Sequence, residues 1–175
     1  MAGFGKWVGG AIGWALGGPI GGILGYQLGK FFSSGVQIGE RNQGGTRSGD
    51  FAMSLVVLSA AVMNADGKVL ISELNFVKKF LKMNFGEVQA DQLILLLKEA
   101  LKQEVDVRGV ADQIRMNMDH PKRMLLLQYL YGIAHADGHV DKRELELIRL
   151  IARHLGISLK DVASIEEPFN SGTLN

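Results

Sequence analysis

Four acidic residues recur in two nearly identical settings, and carboxylates at fixed spacing are the raw material of cation sites and acid–base pairs. AVMNADGKVLISELNFVKKFL (61–81) repeats as GIAHADGHVDKRELELIRLIA (132–152) without insertion or deletion. Ala65-Asp66-Gly67 aligns with Ala136-Asp137-Gly138, Val69 with Val140, Glu73-Leu74 with Glu144-Leu145, and Phe80 with Ile151. Each copy has the spacing of a twelve-residue calcium loop. Counted from Val62, Asn64 is third, Asp66 fifth, Gly67 sixth and Glu73 twelfth. Counted from Ile133, the same places hold His135, Asp137, Gly138 and Glu144. A hard cation wants several oxygen donors at once, and the first positions, Val62 and Ile133, are apolar and supply none.

Two readings of the turns stay open. In the structural one, glycine closes a helix through a left-handed backbone with Asp just before it. Glu144 then stands three residues after Asp141, the spacing of a capping box, and Val69 and Val140 dock the turns onto the core. In the other, a divalent cation is held by Asp66, Glu73, Asp137 and Glu144, joined by His135, His139 or Asp141, which requires the two turns to face each other. Catalysis has less behind it. There are no cysteines, so thiolate nucleophiles and sulfur-bound zinc are excluded. His120 sits between Asp119 and Pro121 in a cap-and-turn context, and His154 beside Arg153 reads as solvated. No serine has a His–acid pattern near it, and no phosphate-binding glycine loop follows a strand. The chain is expected not to be an enzyme.

The turns need helices to hold them. Asp50 is placed to cap a helix from Phe51 to about Ala65. Further apolar faces follow at Leu74/Val77/Phe80/Leu81, Leu93/Leu96/Leu97/Leu101 and Val107/Val110/Ile114/Met118, and then at Leu125–Leu127/Leu130/Ile133 and Leu145/Ile148/Ile151/Leu155. Asp119 and Pro121 suit the start of the fifth helix, and Ser158 to Asp161 has capping-box spacing for a short last one. Met116, Met118 and Met124 occupy helical positions and read as core or partner surface. No stretch alternates long enough to argue for a strand. The expected fold is all-α, a bundle of about seven helices with an internal helix–turn–helix repeat over residues 50–168, ending in a tail at 169–175.

The first fifty residues obey different physics. Most of the 23 glycines fall there, and the stretch from Lys6 to Lys30 holds no formal charge between its ends. As a helix it would reach roughly 35 Å, enough for a hydrocarbon core of about 30 Å. Gly5, Gly9, Gly13, Gly17, Gly21, Gly25 and Gly29 form an unbroken GxxxG series, a flat strip where another backbone can approach. Trp7, Tyr26, Phe31 and Phe32 lie near its ends, as interfacial rings do. Residues 1–32 are therefore expected to form a glycine-zipper membrane segment. It is either one span or a hairpin turning at Gly17-Gly18-Pro19, because proline breaks a helix there. Its glycine strip suits self-association or a protein partner. Lys30, Arg41 and Arg47 favour keeping the C-terminal side in the cytoplasm, which places the helical domain on the cytoplasmic face of an inner membrane. Residues 33–49, polar and rich in Gly and Ser, are expected to be a flexible linker. Residues 1–49 carry a net +3 and the remainder a net −2. A slightly acidic domain lacks the basic face that nucleic acid requires.

The doubled ADGKVLISELNFVKKFL and ADGHVDKRELELIRLIARHLGIS resemble the signature of the TerB-like (tellurite-resistance) helical domain. The order of a glycine-rich segment (GFGKWVGGAIGWALGGPIGGILGYQLG), a tether and this domain is similar to the N-terminal part of membrane-anchored, DjlA-like DnaJ co-chaperones. The resemblance covers roughly residues 4–167. It implies a membrane-tethered interaction module, the targeting half of a co-chaperone or a stress-response scaffold; the alternative, drawn from the paired Asp-Gly turns, is a divalent-metal sensor. In that family a J-domain with a His-Pro-Asp loop follows and stimulates Hsp70. Here Asp119-His120-Pro121 has a different order, and the sequence ends at PFNSGTLN, about where such a domain would begin. Hsp70 is thus an expected partner only if a J-domain follows in a longer protein.

Overall fold

The computed structural model describes residues 46–171, with side chains from Phe51 onward. Seven helices are present among the described residues: α1 (Thr46–Met63), α2 (Ile71–Phe85), α3 (Glu87–Ala100), α4 (Val107–Asn117), α5 (His120–Ala134), α6 (Lys142–His154) and α7 (Leu159–Asn170). No strand occurs among them. The all-α reading holds, and the expected 1–32 membrane segment and most of the 33–49 linker lie outside the described residues.

α1 is the hub. Leu55, Val56, Val57, Leu58, Ala60, Val62 and Met63 are all fully buried, so the helix is apolar all round. Such a helix must be covered on every side, and α3, α4, α5 and α6 all pack against it. α5 is the second pillar, touching α1, α2, α6 and α7. α4 and α6 are amphipathic and bury one face each, through Val110, Ala111 and Ile114 and through Ile148, Ile151 and Ala152. Where α1 meets α5, the buried Ser59 hydroxyl lies 3.2 Å from the Tyr129 hydroxyl. The two hydroxyls thus partner each other inside the core, as buried polar groups must. From α2, Phe76 and Phe80 close on the Tyr129 ring, with centroids 5.9 and 4.2 Å away. One turn along α5, Gly132 gives the Phe76 ring its room: a Cβ there would stand 2.6 Å from Phe76 Cζ.

Several boundaries differ from the sequence reading. α1 begins at Thr46, so Asp50 lies inside it rather than capping it, and residues 46–49 belong to helix rather than linker. Once a helix is nucleated and anchored in a core, each added residue gains a hydrogen bond at little cost, and the polar TRSG turn follows. α7 runs to Asn170 and includes Phe169, placed in the tail by sequence; its ring stacks on Tyr131 at 5.9 Å and so holds the last turn. Leu125, read as part of an apolar face, is 59% exposed, since the buried side of α5 starts at Leu126. Asp119 and Ser158 cap as expected, accepting from Lys122 N and Asp161 N, both at 3.1 Å.

Candidate functional site: the paired Asp-Gly loops

The two turns share one pattern of backbone bonds. α1 ends at Met63 and α5 at Ala134. Ala65 N then donates to Val62 O, and Ala136 N to Ile133 O, both at 3.1 Å. Gly67 N reaches Asn64 O at 3.0 Å, and Gly138 N reaches His135 O at 3.1 Å. Both glycines have φ 79°. That is the left-handed backbone that a Cβ disfavours. The preceding aspartates fold back on their own loops: Asp66 Oδ1 accepts from Lys68 N at 2.8 Å, and Asp137 Oδ1 from His139 N at 2.9 Å. These Asx turns are the local reason the chain reverses here. α2 and α6 start soon after, at Ile71 and Lys142.

The glutamates then enter the protein. Glu73 and Glu144, each in the first turn of its helix, are both only 2% exposed. They are hydrogen-bonded to each other side chain to side chain. Glu73 Oε2 also accepts from Leu70 N at 3.2 Å, half of a capping box whose other half leucine cannot supply. Burial raises the Glu73 carboxyl above its ordinary value. Burial and the neighbouring Glu73 charge push the Glu144 carboxyl up to about 8. Two carboxyl groups buried side by side disfavour double ionisation, so the pair holds on to protons above the ordinary glutamate range. Asp66 adds repulsion to both members, Asp137 to Glu73 and Asp141 to Glu144.

The remaining sequence candidates are committed elsewhere. Asp141 caps α6 by accepting from Arg143 N at 2.8 Å, and the Arg143 side chain beside it holds its carboxyl below the usual range. His135 turns its Nδ1 to Tyr131 O at 2.8 Å and lays its ring on Phe169, 4.7 Å away. Of the seven proposed cation ligands, the structure brings Glu73 and Glu144 into contact, leaves Asp66, Asp137, Asp141 and His135 in other bonds, and leaves His139 exposed on its loop. Among the described residues, no group of three or more His, Asp or Glu side chains is placed to hold a metal ion. Val62 and Ile133 are fully buried, and Val140 packs on the core, but Val69 is 42% exposed and docks nothing.

Sequence reasoning missed a second polar cluster. The Tyr131 hydroxyl donates to Glu166 Oε1 at 2.6 Å, and Arg149 Nε reaches the same oxygen at 2.8 Å, tying α5, α6 and α7 together. Arg149 holds the Glu166 carboxyl below its ordinary value. Nor is His154 merely solvated: its Nδ1 lies 2.9 Å from Asp112 Oδ1 on α4. These partners stand 17 to 42 residues apart, where no local spacing rule reaches.

The arrangement defines a class first: an all-helical bundle made of two helix–loop–helix copies that meet at a buried pair of carboxyl groups. The chain belongs to the tellurite resistance protein TerB family, whose model matches residues 52–167. The model of the co-chaperone DjlA transmembrane domain matches residues 1–40, reaching past the boundary expected at residue 32. The two together identify a membrane-anchored TerB module of the DjlA-like kind. No curated protein and no solved structure matches the chain. Among the described residues, no helix is long and apolar enough to cross a membrane.

Proposed function

We propose that this chain is a membrane-tethered interaction module without catalytic activity. The N-terminal segment holds it at the cytoplasmic face of an inner membrane, and the TerB bundle presents its surface to a protein partner. It would act as the targeting half of a DnaJ-like co-chaperone or as a stress-response scaffold. The observation that carries the reading is the pairing of the two family matches in one chain, a transmembrane-domain model over 1–40 and TerB over 52–167. The glycine series from Gly5 to Gly29 supports self-association of the anchor, because small residues at every fourth position let helices approach closely. The Tyr131–Arg149–Glu166 cluster is spent on joining α5, α6 and α7, which supports a structural rather than a catalytic role for it.

The test is a fusion of residues 1–45 to a fluorescent protein, followed by membrane fractionation, protease accessibility and cross-linking in cells. The expected result is a membrane-bound fusion with its reporter on the cytoplasmic side, cross-linking as dimers or higher species. Replacing Gly13, Gly17 and Gly21 by Leu should reduce the cross-linked fraction about tenfold, the equivalent of ~1.4 kcal/mol of lost helix packing. A soluble, monomeric fusion would sink the anchoring half of the proposal.

A further inference from the structure

Among the described residues, five large apolar side chains stand at least 75% exposed: Ile71, Met83, Val88, Met116 and Leu159. Scattered singly such residues need no explanation, but gathered together they mark a docking surface. Four of the five lie at one end of the bundle, and contacts between helices locate it. Arg123, in the first turn of α5, donates to Leu155 O at the end of α6. His120 beside it lies 3.8 Å from Asp161 in the first turn of α7. Arg115, in the last turn of α4, crosses Gly156, its Nε 2.8 Å from where a Cβ would stand. Met116 and Leu159 therefore share this end. On α2, Phe76 packs at Gly132 and Phe80 packs farther back along α5, at Tyr129. α2 thus runs toward the start of α5, and carries Met83 to the same end, where Val88 opens α3. α1 sets out from there too. Asn64, just past α1, donates to the carbonyl of Leu101, just past α3, and the two helices pack together. Both finish at the Asp-Gly loops, so both begin at the opposite end.

The charges at this end favour an anionic cover. Its acids are already paired: Glu87 with Lys82, Asp112 with His154, Asp119 with Lys122 and Asp161 with His120, at 2.9 to 3.8 Å. Arg115, Arg153 and Lys160 are exposed and stand in no ion pair among the described residues. The tether selects the occupant. α1 begins at Thr46, and the transmembrane-domain match ends at residue 40. Even from residue 32, where the membrane segment is expected to end, residues 33–45 reach at most roughly 50 Å. The end that α1 enters is therefore the part of the bundle held nearest the bilayer. Such confinement sets an effective concentration of about a millimolar, which populates contacts too weak to hold a free domain. We propose that this end of the bundle docks on the anionic lipid surface in which the chain is anchored. Met83, Val88, Met116 and Leu159 enter the headgroup region, as the apolar faces of interfacial proteins do, and Arg115, Arg153 and Lys160 meet lipid phosphates. Each such cation strengthens binding about fivefold. The proposal rests on the anchoring function above. It turns the Asp-Gly loops away from the membrane, to where a partner can reach them.

The chain has no cysteines, so a single one can be introduced and spin-labelled without background. Asn117→Cys puts the label beside Met116, and Lys68→Cys puts it on the first Asp-Gly loop; both positions are exposed. The full chain is placed in detergent micelles or in nanodiscs of phosphatidylcholine with about one-third phosphatidylglycerol. Power saturation then reads how often each label collides with a water-soluble nickel chelate. The expected rate at Asn117→Cys is at least threefold lower in the discs than in detergent, while Lys68→Cys is unchanged. Two double variants at exposed positions, Arg153→Glu/Lys160→Glu and Met116→Ser/Leu159→Ser, should each restore the collisions with the chain still in the disc. Unchanged collisions at Asn117→Cys, in a chain retained by the discs, overturn docking and leave anchoring intact. A chain that does not enter the discs overturns anchoring, and docking with it. Shielding in detergent that grows with protein concentration means that a second copy covers the face, which overturns the lipid proposal as well.

Discussion

At the scale of the residue, the loops depend on two glycines whose backbones lie where side chains rarely go. Gly67 and Gly138 both sit at positive φ, and an added Cβ would meet nothing within 4 Å. Substitution to Ala thus meets no clash and costs only the left-handed conformation, about 1–2 kcal/mol. Gly67→Ala and Gly138→Ala should each lower unfolding free energy by that amount in urea titrations, with equal effects because the two turns are equivalent. A much larger loss at one of them would mean that the copies are not interchangeable. These glycines and their aspartates were legible in the sequence because turn chemistry is local: Asp, then Gly, then a loop amide returned to the Asp side chain. The glutamates were legible as a repeated pair, but their meeting was not. Each copy places its Glu in a first helical turn, where a lone helix would leave it in water; burial is supplied by the other copy. The cation reading drew in Asp66, Asp137 and Asp141 for the same reason, since spacing alone does not show that one oxygen of each accepts from its own loop or helix start, at Lys68 N, His139 N and Arg143 N.

At the scale of the element, helical periodicity revealed the seven helices, and what it left unread is how they lock. The α2–α5 contact passes over Gly132, where Phe76 lies 2.6 Å from the site of a missing Cβ. The Phe76 ring is held against Tyr129 and has to move if that Cβ is added. Gly132→Ala improves local helix propensity by roughly 1 kcal/mol and yet is expected to destabilise the fold by about 1–3 kcal/mol through that overpacking. The double variant Gly132→Ala/Phe76→Leu should be more stable than the sum of the single effects. A thermal-unfolding cycle measures that coupling, and simple additivity would show that the close approach is not the cause. The α7 lock is different in kind. Tyr131→Phe removes the donor to Glu166 but leaves Arg149 in place. The expected loss is that of one hydrogen bond, about 1 kcal/mol. Glu166→Ala deprives both partners at once and should cost more, with faster amide exchange confined to α7. Sequence could not announce this lock, because Arg149 lies on a helix whose register is set by Ile148 and Ile151 and Glu166 on one that docks through Val162 and Ile165.

At the scale of the whole molecule, the question is whether the bundle needs its anchor to fold. Its buried hydrophobic side chains among the described residues begin at Ala52 and form one continuous cluster through Val162. A domain of this size buries enough apolar surface to be stable alone. The two copies also supply each other's cover: α1 and α5 pack together, and the loops after them meet through Glu73 and Glu144. Deleting residues 1–40, the span of the transmembrane-domain match, should therefore move the protein from the membrane pellet to the supernatant. It should also leave the unfolding free energy of the bundle within about 0.5 kcal/mol of the full chain, the range of changes remote from a core. Fractionation reads the first outcome and urea unfolding by far-ultraviolet circular dichroism the second. If the truncated chain is soluble but clearly less stable, the anchor packs on the bundle and the two parts act as one body, which would make the membrane itself a regulator of the loop junction. If stability is unchanged, the anchor only positions the bundle, and whatever acts on the junction between the repeats must reach it from solution rather than through the anchor.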